Sequence, residues 1–258
     1  MAIDLTVSDD GIALITINRP ERLNAMDAEH YQALSRAWCT VRDDPAIRVA
    51  IVTGAGERSF TTGADIKSFL TTPPGLAEMW LTQRDQLLNR GLEVWKPIVA
   101  AINGYCLGGG VTLMLATDIR IASSHATFSL AEVKRGIIPG NGGTQRILDQ
   151  LPYAVAMEML LTGDGIDAVA AERWGLINKI VPKEELLATA FAYARRIAAN
   201  APLAVQAAKE LAVRSRDTDI ATGLRIEAVI NRMLSFTDDA KEGPAAFAAK
   251  RAPNFKGN

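Results

Sequence analysis

The residues best suited to chemistry in this sequence form two glycine-bearing turns about forty positions apart. The first reads Thr61-Thr62-Gly63-Ala64-Asp65-Ile66-Lys67. The second reads Asn103-Gly104-Tyr105-Cys106-Leu107-Gly108-Gly109-Gly110. Each follows an apolar run with the character of a buried strand, 49–53 and 98–102, and the second opens into a helix-like stretch, 111–116. Backbone amides at such turns are unpaired and point outward, and a helix N-terminus adds partial positive charge. Brought together, two such turns offer two N–H groups to one oxygen atom, which is an oxyanion hole. The plain alternative is that the glycines only permit tight turns.

The elements that must position these turns follow from periodicity. Residues 3–7 and 12–17 alternate apolar and polar around Asp9-Asp10-Gly11, which predicts a hairpin. Met26 to Val41 has helical spacing, with Asp27 near its start and Asp43-Asp44-Pro45 ending it. Residues 70–75, with Pro73-Pro74, read as a loop, followed by an amphipathic helix to about Trp95 in which Met79, Trp80 and Trp95 read first as a core stripe and alternatively as lining of a substrate pocket. Pro97 starts the next strand, and 119–122 is another. Recurring strand and helix units predict an α/β core. After about Tyr153 the chain reads as helices over 154–161, 168–174, 183–199, 203–214, 220–235 and 239–251, with one strand at 177–181. The expected division is a core over 1–197 and a C-terminal helical region over 198–258 that packs on another subunit.

Composition narrows the function classes. The 258 residues suffice for one large domain, or a domain with an appendage. Hydrophobic content is 48% and net charge −1, with no charged tail directed at nucleic acid or membranes. No apolar run reaches the ~18–20 residues of a membrane span. The N-terminus enters strand-like alternation without a secretory pattern, so the expected location is cytoplasmic. Cys39 and Cys106 suggest no disulfide framework, and Cys106 has no His or Lys close in sequence to activate it. His30 and His125 are far apart, and no metal-ligand spacing is present. The P-loop, the Rossmann fingerprint and the Gly-x-Ser-x-Gly elbow are all absent.

A set of ordered segments resembles the enoyl-CoA hydratase/isomerase (crotonase) family along essentially the whole chain. They are Asn18-Arg19-Pro20 through Asn24-Ala25-Met26, the Phe60–Lys67 turn, Lys96 through Gly104, and Leu107–Gly110. Phe128-Ser129-Leu130-Ala131-Glu132, Gly136-Ile137-Ile138-Pro139, Gly142-Gly143-Thr144-Gln145-Arg146 and the tail around Glu242-Gly243, Phe247 and Lys250-Arg251 complete it. The resemblance implies a crotonase-like α/β spiral of strand–strand–helix units with a C-terminal helical region that builds trimers, often stacked as hexamers. It implies an acyl-CoA thioester as substrate, with coenzyme A entering as part of it and no separate cofactor or metal. The amides of Ala64 and Gly109 match the family's oxyanion hole. Glu132 matches the second of its two catalytic glutamates, where a carboxyl in an apolar acyl pocket has a raised pKa and exchanges protons with carbon. Arg22, Leu23, Ala25, Asp65 and Ile66 match the segments that hold CoA, and Phe247 and Lys250 match residues that reach it, often from a neighbouring subunit.

The sequence departs from the family's hydratases at Thr112, where they usually carry the first glutamate, two residues after the last glycine. Threonine has no useful acid–base pKa, so it either holds a water or packs. Hydroxycinnamoyl-CoA hydratase-lyases, which this chain resembles, carry a serine there and still hydrate. The expected reaction is therefore reversible hydration of a 2-enoyl-CoA with Glu132 as acid and base. The alternatives are Δ3-Δ2 enoyl-CoA isomerisation through the single glutamate and non-catalytic binding. A dienoyl-CoA isomerase is disfavoured, because Gly140 stands where that subclass carries an added acid. Lysines and arginines of the helical half, such as Lys179, Lys183, Arg195 and Lys209, are scattered rather than clustered, so no nucleic-acid partner is expected.

Overall fold

The computed structural model describes residues 2–71 and 86–258, apart from the side chains of 69–71. Met79 and Trp80, and most of the 70–75 loop, lie outside the described residues. In chain order the strands are β1 Ile3–Val7, β2 Ile12–Ile17, β3 Val49–Gly54, β4 Ser59–Thr61, β5 Ile98–Ile102, β6 Tyr105–Leu107, β7 Ile119–Ser123, β8 Thr127–Ser129, β9 Gly165–Asp167 and β10 Lys179–Val181. Six form one sheet in the order β1-β2-β3-β5-β7-β10, antiparallel only at the β1–β2 hairpin. The other four form a second sheet, β4-β6-β8-β9, parallel except at β9. Each successive turn of chain adds one strand to each sheet, as in β3–β4, β5–β6 and β7–β8, which gives the expected spiral.

The central strands are apolar on both faces because both faces are covered. Alternation sends Ala50, Val52, Ala100 and Ile102 into a core shared with Trp38, Phe60 and Phe128. It sends Val49, Ile51, Val99 and Ala101 to the opposite face, under Leu186, Ala190, Ala194 and Ala198 of the helix Leu186–Ala198. The first helix, Ala28–Asp43, is capped by Asp27, whose carboxylate accepts from the His30 amide at 3.2 Å. The helix Gly109–Met114 follows the second glycine turn, as its apolar run predicts.

Two features depart from the sequence reading. Residues 86–95 carry a 3₁₀ turn at Leu88–Arg90, closed by left-handed Gly91, rather than the end of an α-helix. Trp95 is therefore on no helical stripe; it lies beneath the Arg214 guanidinium, 5.0 Å from the ring centre. The short strands of the second sheet and the helix Gly143–Gln150 add elements the sequence reading does not contain.

Arg120 fastens the far end of the helix Gly109–Met114. It is buried and donates to the carbonyls of Met114, Leu115, Thr117 and Leu176 at 3.0–3.3 Å. Burial lowers its pKa to about 10, so it remains charged at neutral pH. Arg120→Ala removes four charge-assisted hydrogen bonds to buried carbonyls and should lower unfolding free energy by about 3 kcal/mol, read from the denaturant midpoint. An unchanged midpoint would show that the helix end is secured otherwise.

The helix Pro202–Arg214 docks through Lys209, which lies 2.7 Å from Asp118 and donates to the Lys96 carbonyl. The next helix, Ile220–Leu234, buries no residue and exposes Ile220, Leu224, Val229 and Met233. The last helix, Asp238–Ala248, is tied to the tail by Asp239, which accepts from the amides of Lys256 and Gly257.

Candidate active site

The two glycine turns meet. Met26 and Ala64 form a parallel bridge in which the Met26 amide donates to the Gly63 carbonyl and the Asp65 amide to the Met26 carbonyl, both at 2.8 Å. The Gly63 amide donates to Thr61 Oγ1 at 3.1 Å. These bonds use the amides on either side of Ala64 and leave its own without a partner among the described residues. The Gly109 amide, at the first position of its helix, is likewise unpartnered. The turns touch at their glycines: a Cβ on Gly63, at φ +82°, would lie 2.5 Å from the Gly109 nitrogen. A Cβ on Gly109 would lie 3.5 Å from the Ala64 nitrogen. A Cβ on Gly110 would lie 2.3 Å from the Thr61 carbonyl, so the helix start can press against β4 only with glycine there.

Glu132 lies in the 3₁₀ turn Ala131–Arg135, after β8, which pairs with the strand leading into the second glycine turn. Its Oε1 is 3.0 Å from where a Gly108 Cβ would stand, and its Oε2 is buried with no hydrogen-bond partner among the described residues. Burial raises its pKa, partly offset by a backbone hydrogen bond and by the charge of Arg135. Proton uptake is then favoured in the folded state between the ordinary glutamate pKa and the raised one. Stability is lost as pH rises through that window and is not regained above it. Glu132→Gln should accordingly raise Tm at neutral pH and change it less at pH 4; an equal shift at both would exclude the linkage.

Thr112 is buried on the helix that starts at Gly109. Its hydroxyl donates to the Gly109 carbonyl at 3.0 Å and accepts from Asn89 Nδ2 at 3.1 Å. Asn89 was not singled out in the sequence: no motif marks it, and it falls in a stretch read as helix. Tyr31 is a second addition. It reads as part of a helical core stripe, yet its hydroxyl would be 3.6 Å from a Gly109 Cβ, and the Arg90 guanidinium is 5.9 Å from its ring centre. Burial pushes the phenol up to about 12, so it stays protonated at neutral pH.

The residues matched to CoA binding divide into two groups. Arg22 is exposed, and its side chain has no partner among the described residues. The Leu23 carbonyl accepts from Ser59 Oγ at 2.9 Å, and the Ala25 carbonyl from Arg19 at 3.1 Å. The same arginine binds the Asp65 carboxylate at 3.0 Å, which sets residues 22–25 beside 64–66. Ile66 begins the helix Ile66–Thr71 and is half exposed. Phe247, on the last helix, and Lys250, just after it, are both exposed.

Cys106 is fully buried, and burial pushes its thiol pKa up, so it packs rather than reacts. His30 is bonded to Asp27 at 2.7 Å and His125 to the Glu57 carbonyl at 3.0 Å. Two clefts of about 830 and 860 Å³ lie beside the helix Pro202–Arg214 and beneath the C-terminal tail. Neither is lined by Ala64, Gly109 or Glu132, so the chemistry is located by the geometry of the turns and not by cleft size.

Comparison with known proteins supplies independent findings. The sequence profile of the enoyl-CoA hydratase/isomerase family matches residues 8–258. The chain is 44% identical over 257 residues to the (E)-benzylidenesuccinyl-CoA hydratase of Thauera aromatica, covering all of both chains. It is 39% identical over 276 aligned positions to the carnitinyl-CoA dehydratase of Salmonella arizonae, again covering all of both. Among solved structures, the enoyl-CoA hydratase of Bacillus anthracis superposes with a TM-score of 0.92 at 33% identity, over the full length of each chain.

Proposed function

We propose that this chain, which belongs to the enoyl-CoA hydratase/isomerase family, reversibly adds water across the double bond of a 2-enoyl-CoA thioester. The observation that carries this reading is the approach of the two unpartnered amides, Ala64 and Gly109, next to the half-buried carboxyl of Glu132. In this reading the amides receive the thioester oxygen as it becomes an enolate. Each such donor typically contributes ~3–4 kcal/mol to lowering the barrier. Glu132 takes a proton from water and returns it to C2. Its raised pKa suits both halves, because an acid–base group works best when its pKa lies near the working pH.

CoA enters with the substrate, and the reading calls for no resident metal or cofactor. Arg22, Leu23, Ala25, Asp65 and Ile66 would line its path, with the Arg22 guanidinium, unpartnered among the described residues, available to a phosphate. Asp65 would act through its ion pair with Arg19, which holds the turn in place. Phe247 and Lys250, both exposed, would serve a neighbouring subunit. The apolar surface left open on Ile220–Leu234 supports assembly through the region 198–258 as a trimer or a dimer of trimers. Sedimentation equilibrium should therefore give three or six chains per particle, and a stable monomer would contradict it. No helix among the described residues is long and apolar enough to cross a membrane, in keeping with a cytoplasmic enzyme.

The test follows the conjugated enoyl-thioester absorbance with crotonyl-CoA and with a 3-enoyl-CoA. Glu132-dependent loss of absorbance with the first is the expected result. A gain with the second, without loss of the first, would make the enzyme a Δ3-Δ2 isomerase instead.

A further inference from the structure

Hydration requires something to hold the attacking water where the family's hydratases usually place their first glutamate, and Thr112 is poorly placed for that task. A hydroxyl has one proton and two lone pairs. The Thr112 proton goes to the Gly109 carbonyl and one lone pair to Asn89, so the side chain is largely occupied. The same bonds fix the orientation of Asn89. Because Thr112 spends its proton on Gly109, the Asn89 atom facing it must be the donor Nδ2, and Oδ1 points away from it. That oxygen is buried, in a residue only 7% exposed, and has no hydrogen-bond partner among the described residues. Leaving a buried acceptor unpaired costs about 1–3 kcal/mol. The Asn89 backbone is held as well, its carbonyl accepting from Arg146 at 3.3 Å. Glu132 Oε2 has the same character, buried and unpartnered, beside the same glycine turn.

We propose that Asn89 takes the place of the missing carboxylate as the holder of the attacking water. This rests on the hydratase reading. The water donates one hydrogen to Asn89 Oδ1 and the other to Glu132. An oxygen lone pair forms the bond to C3 as the Glu132-facing proton passes to the carboxylate. The C2–C3 π pair shifts to make the enolate, whose charge rests on the thioester oxygen. The pair then returns to C2, where it takes the proton from Glu132. One water is added, no electrons are gained or lost, and Glu132 ends as it began. Asn89 exchanges no proton, and Thr112 positions its amide.

The test separates water addition from enolate formation. Crotonyl-CoA hydration reports both, whereas exchange of the C2 hydrogens of butyryl-CoA in deuterated water needs Glu132 and the amides but no water at C3. Asn89→Leu should lower hydration kcat by about 10²-fold, the scale of one lost transition-state hydrogen bond, and leave C2 exchange unchanged. Asn89→Asp, which keeps an acceptor but loses the donor to Thr112, should retain more of the hydration rate than Asn89→Leu. Full hydration by Asn89→Leu overturns the proposal, as does equal loss of hydration and exchange, which would mark Asn89 as structural. A wild-type chain that exchanges C2 hydrogen but adds no water overturns the hydratase reading itself, and this inference with it.

Discussion

Glu132→Gln is expected to lower crotonyl-CoA hydration by about 10⁴-fold, the upper end of what a general acid–base group contributes. The upper end applies because, in the proposed reaction with Thr112 in place of the first glutamate, the same carboxyl would both remove a proton from water and deliver one to C2. Glutamine keeps the size and the hydrogen-bonding oxygen but cannot exchange the proton. Binding of a CoA thioester should change little, since segments 22–25 and 64–66, proposed to line the CoA path, are held by Arg19 and the Met26–Ala64 bridge and not by Glu132. Steady-state kinetics with calorimetric measurement of a saturated acyl-CoA separates the two. Retained turnover would remove Glu132 from its role, and equal loss of binding would make it a positioning residue. The pH profile gives a second check. Because burial raises the Glu132 pKa, the low-pH limb of hydration should lie above the ordinary glutamate range in the wild-type enzyme.

The second large effect is expected from Gly63→Ala. Gly63 sits at φ +82°, a region that disfavours any Cβ, and the new methyl would stand 2.5 Å from the Gly109 nitrogen and 2.9 Å from its Cα. The neighbour is backbone at the start of a helix and cannot rotate aside as a flexible side chain would. The turns must therefore separate, which moves the Ala64 and Gly109 amides relative to one another. Loss of one correctly placed donor typically lowers kcat by about 10²–10³-fold, and both depend on this contact. Strain at the left-handed position adds about 1–2 kcal/mol of destabilisation. The rate should fall far more than the fraction folded at assay temperature, so circular dichroism and kcat on the same sample discriminate. Wild-type kcat in a folded Gly63→Ala would mean that the proximity of the amides does not drive the reaction.

What could be read from the sequence was what local physics controls. Strands β2, β3, β5 and β7 show in their apolar runs, and the helices after Tyr153 in their 3.6-residue spacing, because burial on a fixed face writes itself into the order of residues. The glycine turns show for a similar reason. Gly63 and Gly110 occupy places where a Cβ would meet the backbone, so their identity is fixed by contacts that a turn motif announces. Glu132 was singled out through the ordered segments around it.

The tertiary structure decided what depends on residues far apart. Strands β4, β6, β8 and β9 are each three residues long, too short for alternation to register, and exist because they pair with one another. The 3₁₀ turn at Leu88–Arg90 carries a buried asparagine that no spacing rule distinguishes from a solvated one. Whether Thr112 is free to hold a water depended on where its single proton goes, and that was settled by a carbonyl three residues back and by an amide 23 positions away. The residue types that can do chemistry are a property of the chain. Which of their atoms are left unpartnered and buried together is a property of the packing alone.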